Sequence, residues 1–150
     1  PDAALQLLRQ AHALTAGGAL LIGVDLAKPA HILEPAYDDA LGVTAAFNKN
    51  LLRHVNTLLG SDFDVRQWRH LALFNETESR IEMYLQAQRN LMVHWPGGER
   101  AFRGGERIHT ENSCKYTVAS MTALLRRAGF TQISYWTDPK DWFAVFWASV

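Results

Sequence analysis

The stretch Gly17-Gly18-Ala19-Leu20-Leu21-Ile22-Gly23-Val24-Asp25 decides the fold class. Two glycines stop whatever precedes them, and a short, nearly continuous apolar run then ends on a carboxylate. Such a run is the pattern of a strand buried on both faces. Upstream, Leu5, Leu8 and His12 recur at helical spacing between Asp2 and Thr15, with Asp2 as N-cap. Helix, glycine turn and buried strand together make an α/β unit.

The C-terminal third repeats this grammar. Thr117 to Ala128 predicts an amphipathic helix with Val118, Met121, Leu124 and Leu125 inward, Thr117 as N-cap and Gly129 just past its end. Phe130 to Trp136 and Trp142 to Ala148 predict two strands joined by a turn at Asp138-Pro139-Lys140-Asp141. A parallel α/β unit that ends in an antiparallel hairpin is the tail pattern of the class I methyltransferase sheet, and of other α/β domains as well.

The middle differs. Pro35 precedes a polar stretch, Tyr37 to Asp39. Val43 to Leu59 predicts a long helix with Phe47, Leu51, Val55 and Leu58 on its apolar side, closed by Gly60. From His70 to Trp95 the segments Leu71–Phe74, Arg80–Leu85 and Asn90–Trp95 predict strands of one small antiparallel sheet with a polar face. Pro96-Gly97-Gly98-Glu99 and Arg103-Gly104-Gly105 predict turns.

Composition narrows the partners. The chain has 150 residues, 48% apolar and 20% charged, which suits one ordinary globular domain. Lys+Arg and Asp+Glu balance at 15 each, so no basic field points to nucleic acid. No apolar run approaches the ~20 residues of a membrane span. Pro1 to Ala4 shows no signal-peptide n-region, and the start at Pro reads as a piece of something longer. A single Cys114 fits a reducing compartment, so a cytoplasmic location is expected. The six histidines lack metal-site spacing, and no base is recognisable that would activate Cys114.

Two segments carry the functional signal. One is Tyr37-Asp38-Asp39-Ala40-Leu41-Gly42-Val43-Thr44-Ala45-Ala46-Phe47-Asn48; the other is Ile108-His109-Thr110-Glu111-Asn112-Ser113-Cys114-Lys115-Tyr116. Both resemble the substrate-binding segments of the histidine Nα-methyltransferases, the S-adenosyl-L-methionine-dependent enzymes that make the trimethylated histidine precursor of ergothioneine. Gly23-Val24-Asp25-Leu26-x-Lys28, Arg80-Ile81-Glu82-Met83 and Trp136-Thr137-Asp138 match the same family in order. Agreement of several separate segments over nearly the whole chain is more specific than any single motif.

The resemblance implies an α/β fold in which residues 1–28 and 116–150 form the C-terminal part of a class I, Rossmann-like methyltransferase sheet. Residues 29–115 would be an inserted α+β substrate-binding lobe. It implies an enzyme that transfers methyl groups to the α-amine of L-histidine, a small-molecule substrate. In its terms Tyr37 binds the substrate carboxylate, Glu111 and Ser113 read the imidazole, and Phe47 and Met83 line the amine and ring pocket. Phe47 and Met83 serve equally well as core residues on periodicity alone, and Asp38-Asp39 reads as acidic favouring of a helix start. The family's glycine-rich cofactor turn would precede Pro1, so S-adenosyl-L-methionine is expected to bind mainly outside this stretch. The chain alone is then expected to be inactive, and no residue in it is identified as the base.

Elementary chemistry fits these roles. A carboxylate accepts well from an imidazole N–H, and a hydroxyl serves the second ring nitrogen. Glu111 and Ser113, two apart in an extended segment, are expected on the same side. A site built to pair two polar ring atoms rejects apolar rings, because its own groups would be left unpaired. Two alternatives stay open: a noncatalytic amino-acid-binding module, and a methyltransferase of the same family with another amine substrate. Without the first strands of such a sheet, the edge of Ala19–Asp25 is exposed, and self-association is expected there.

Overall fold

The computed structural model describes residues 2–150. In order, its elements are α1 (Asp2–Thr15), β1 (Ala19–Asp25), α2 (Ala30–Tyr37), α3 (Val43–Leu59), β2 (Trp68–Asn75), β3 (Arg80–Ala87), β4 (Leu91–Trp95), β5 (Gly98–Phe102), β6 (Arg107–Cys114), α4 (Val118–Ala128), β7 (Gln132–Thr137) and β8 (Phe143–Ser149). They form two compact units, Pro1–Lys28 with Cys114–Val150, and Pro29–Ser113. The architecture is mixed α/β with antiparallel sheets.

In the first unit the strand order is β1-β8-β7, with both pairings antiparallel. Ile22 lies opposite Phe146, and Phe146 opposite Tyr135. Leu5 and Leu8 of α1 and Met121, Leu124 and Leu125 of α4 pack with Val24, Phe130 and Phe146 into one core. The helix α4 has the expected boundaries: the Thr117 side chain accepts from the Ser120 N–H at 3.0 Å, and Ser120 returns the bond to the Thr117 N–H. Gly129 ends it with φ 115°, a left-handed conformation that glycine adopts without a Cβ clash.

Two expectations need correcting here. β1 is not buried on both faces: Val24 is covered by the helices, whereas Leu21 is 67% exposed. An unbroken apolar run does not show whether the same stretch of chain supplies both covers. β1 and β7 each pair antiparallel to β8, so the two run in the same direction with β8 between them, and the Leu26–Tyr116 bridge is parallel. Asp2 is the first helical residue of α1, and the N-cap position before it lies outside the described residues. Gly23, in contrast, has a clear cause. The Phe143 ring lies over it, and a Cβ there would come within 2.6 Å of that ring.

At the end of β1 a cluster of charges ties together segments far apart in sequence. Lys115, buried to 3% exposure, donates to Asp25 at 2.7 Å. Lys28 also pairs with Asp25 and donates to the Trp142 carbonyl at 2.7 Å. The Tyr116 N–H bonds the Asp25 carbonyl at 3.1 Å, and the Ala27 N–H bonds the Tyr116 carbonyl at 2.8 Å. Burial pushes the Asp25 carboxyl up, but the hydrogen bonds and charges of Lys115 and Lys28 outweigh it and leave the group below its ordinary value.

The second unit holds the sheet β2-β3-β6 and a separate hairpin β4-β5, where a single sheet was expected. β5 escapes notice in the sequence because Gly98 to Ala101 are all exposed and only Phe102 is buried. Leu33 of α2 packs on Ala72, Ile81 and Met83, while Leu52 of α3 joins Trp68, Leu85 and Val93. α2 was not expected, since Pro35 suggests a break; it is short and is pinned to β2 by Glu34, which accepts from the Phe74 N–H at 3.0 Å. Pro35 lacks an N–H to offer, and the flanking turns form around it. α3 has the expected bounds, but its buried residues are Asn48 and Leu52, not the Phe47–Leu51–Leu58 stripe.

The buried Lys115 makes the ion cluster the most sensitive part of the first unit. Replacing Asp25 by Ala leaves an ammonium without its carboxylate, and we expect a loss of about 3 kcal/mol, the low end for breaking a buried pair because Asp25 itself is partly open. Urea unfolding followed by circular dichroism checks this; an unchanged midpoint contradicts it.

Candidate functional site

The sequence-predicted residues fall mostly in the second unit along α2, α3 and β6. Tyr37 is the last residue of α2, half-buried against the Leu33 cluster. Its hydroxyl meets the Ser113 hydroxyl of β6 at 2.8 Å. Phe47 and Glu111 come together across a cavity of about 260 Å³, lined also by Asn48, Asn50, Leu51, His54 and Thr110. That volume lies just under the ~300–1,000 Å³ of usual ligand clefts and suits one small metabolite.

The helix explains one wall. Phe47, Asn50, Leu51 and His54 stand at i, i+3, i+4 and i+7, the spacing of a single helix face. This same periodicity points to core packing in the sequence, yet Phe47 is 66% exposed and Leu51 42% exposed. The face opens on the cavity. Asn50, His54 and Thr110 were not anticipated, although the helical spacing from Phe47 carried the signal for the first two.

The other wall is β6. Thr110 is held by a bond from its hydroxyl to the Met83 carbonyl at 2.9 Å. Its neighbour His109 stacks on Tyr84, with ring centroids 4.8 Å apart and 28° between planes. Half-burial along the strand falls on Ile108, Thr110 and then Ser113, with Glu111 and Asn112 both exposed. The strict alternation that would put Glu111 and Ser113 on one side by spacing alone is therefore broken. Ser113 instead meets Tyr37, while Glu111 faces the cavity with Phe47.

Met83 is placed differently from the expectation. Its side chain is 3% exposed, inside the cluster with Leu33, Ala72 and Ile81, and it is not among the residues lining the cavity. Its backbone carbonyl, through Thr110, is what reaches the site.

Asp39 sets the start of α3. Its carboxylate accepts from the Val43 N–H at 3.0 Å and from the Thr44 N–H at 2.8 Å, serving two of the donors that a helix start leaves unpaired. Gly42 lies between them with φ 71°, a turn that glycine makes cheaply. The backbone bonds from Thr44 and Val43 hold the Asp39 carboxyl down at about 2.

With this geometry in place, comparison with known proteins is decisive. All of residues 1–150 match the family model described as histidine-specific methyltransferase, SAM-dependent. The chain belongs to this family. It is 44% identical to the histidine N-alpha-methyltransferase of Mycolicibacterium smegmatis over 90% of this chain and 43% of that protein. The protein of the same name from Mycobacterium tuberculosis is also 44% identical, over 81% of this chain and 39% of its own length. Ergothioneine biosynthesis protein 1 of Neurospora crassa is 33% identical over 79% of this chain and 13% of its own. The chain thus spans less than half the length of these relatives.

The family name implies a methyl donor. Such a cofactor sits on a glycine-rich turn leading from a strand into a helix. Gly17 and Gly18 lead from α1 into β1, and Gly104 and Gly105 join β5 to β6. Among the described residues no group of three or more His, Cys, Asp or Glu is placed to hold a metal ion, and no helix is long and apolar enough to cross a membrane.

Asp39 gives this site a pH signature. Its folded value is depressed, so its contribution is complete above the ordinary 3.8 and disappears as pH falls towards about 2. Asp39→Ala should lower the thermal midpoint at neutral pH, with the gap from the parent closing across that window. A gap independent of pH in that range contradicts the capping role.

Proposed function

We propose that this chain forms the substrate-binding part of a methyltransferase that acts on the α-amine of L-histidine and carries it to the trimethylated product. The observation that carries the reading is the Tyr37–Ser113 hydroxyl pair at 2.8 Å on the elements that also bring Phe47 and Glu111 to one cavity, in a chain of this family. Tyr37 would bind the substrate carboxylate, Glu111 and Ser113 the imidazole, and Phe47 the apolar side of the ring and amine. Binding exchanges the Tyr37–Ser113 bond for one bond from each hydroxyl to the ligand, so neither is left unpaired. Met83, buried behind Thr110, would shape the pocket from below and not touch the ring.

The same reading covers the fold. The order β1-β8-β7 with its antiparallel hairpin supports the C-terminal end of a Rossmann-like methyltransferase sheet, made by residues 1–28 and 116–150. Residues 29–115 would be its inserted lobe, in keeping with the two compact units. S-adenosyl-L-methionine would supply the methyl group and be held mainly by residues outside this stretch; the placement of the chain's glycines supports this. By itself the chain would then be inactive. The edge of β1 away from β8 would pair with another copy or with the remainder of the sheet, and chromatography showing only monomer at high concentration contradicts pairing between copies. The single, exposed Cys114 is in keeping with a cytoplasmic setting.

A second reading is a related enzyme with another amine substrate, in keeping with a relative whose name does not mention histidine. A relative named N-methyltransferase fsqC, from Aspergillus fumigatus, is 30% identical over 85% of this chain. Calorimetric titration of the full-length protein with L-histidine separates the two. Glu111→Ala should weaken histidine binding by about tenfold or more, the worth of a hydrogen bond to a charged acceptor. Unchanged affinity in the variant removes the imidazole assignment.

A further inference from the structure

Behind the cavity lies a histidine that the substrate reading leaves unused. His70 of β2 is 4% exposed, and so is Asn48 of α3, which also lines the cavity. The Asn48 amide nitrogen lies 2.9 Å from His70 Nδ1 and donates to the Tyr84 carbonyl at 3.2 Å. On its other side, His70 Nε2 lies 2.7 Å from the Tyr37 carbonyl.

These contacts determine the ring's state. The Tyr84 and Tyr37 carbonyls only accept. The Asn48 nitrogen therefore uses one hydrogen on Tyr84 and the other on Nδ1, which must accept. Nε2 then carries the proton and donates to Tyr37. The opposite amide orientation would set the Asn48 oxygen against the Tyr84 carbonyl, two acceptors facing one another. His70 is neutral, with its proton on Nε2 and both nitrogens satisfied. It thereby joins the end of α2, the cavity face of α3 and the backbone of β3.

We propose that His70 is a positioning residue for substrate recognition: its ring fixes the Tyr37 backbone, and so the direction of the Tyr37 hydroxyl, against the Asn48 wall of the cavity. This rests on the reading of the cavity as the amino-acid site. The side chain touches no substrate; it acts through Tyr37. A buried histidine that merely satisfied the core would connect any two groups. Here both partners belong to the site, one carrying the hydroxyl that meets Ser113 and the other lining the cavity beside Phe47.

Two variants split the ring's two bonds. His70→Gln carries an N–H near the Nε2 position and keeps the bond to Tyr37. His70→Asn carries an oxygen near the Nδ1 position and keeps only the bond from Asn48. Both are made in the full-length protein and titrated with L-histidine and, separately, with S-adenosyl-L-methionine. The expected result is histidine affinity within about threefold of the parent for Gln and about tenfold weaker for Asn, with donor affinity unchanged in both. Adding Tyr37→Phe to His70→Asn should cost little beyond Tyr37→Phe alone, since the two act through one group. Equal histidine affinity in parent, Gln and Asn variants overturns the proposal alone; a parent that binds no histidine overturns the reading of the cavity first. Nitrogen-15 spectra of the parent's histidine rings provide a check that needs no variant. The neutral Nε2–H form of His70 is expected, and a protonated or Nδ1–H ring overturns the proposal.

Discussion

The buried pair of Lys115 and Asp25 is the constraint on which the first unit depends. An ammonium with no exposed side-chain surface has to be paired, and Asp25, at the end of β1, is its partner at 2.7 Å. The chain leaves the first unit just after Asp25 and returns just before Lys115. The Leu26–Tyr116 bridge and the Lys28 bonds reinforce the same point. Electrostatics thus ties together the two segments that make up the first unit.

Within the second unit the site is built by satisfying buried polar groups one against another. Thr110 rests on the Met83 carbonyl, Asn48 on Tyr84, and His70 between Asn48 and Tyr37. Each group left unpaired there would cost more than its bond contributes, which favours one arrangement over its competitors. Glu82, in the same sheet, follows the same logic. Bonds from Tyr84 and Arg80 hold its carboxyl down at about 2, so it stays charged while buried. The cavity wall is in contrast open and mostly apolar, with Phe47 and Leu51 presented from a helix whose buried side is one residue further on.

Much of this was legible in the sequence, and the failures have physical causes. α3 and α4 could be bounded because Gly60, Thr117 and Gly129 punctuate clear helical spacing. β7 and β8 were legible because Asp138 and its neighbours mark the turn; the Asp138 carboxylate accepts from the N–H groups of Trp142 and Phe143. α2 was hidden by Pro35, whose effect on a short helix depends on what the neighbouring strand supplies. β5 was hidden by its exposed, charged residues. The face of α3 was misjudged because Phe47 and Leu51, bordering a cavity, have the same spacing as core residues. His70 was invisible for a deeper reason: its partners are Tyr37 and Asn48, and a lone histidine in a strand gives no hint of them. Tyr37, Phe47, Glu111 and Ser113 stand as site candidates only through family resemblance, since a glutamate and a serine two residues apart carry almost no signal by themselves.

On the proposed function, α2, α3 and β6 bind histidine between Tyr37 and Glu111. A crystal structure of the full-length protein with L-histidine tests it most directly. The imidazole is expected on Glu111 and Ser113, the carboxylate on the Tyr37 hydroxyl, and the Tyr37–Ser113 bond replaced by bonds to the ligand. Histidine bound elsewhere, with the two hydroxyls still paired, would contradict it.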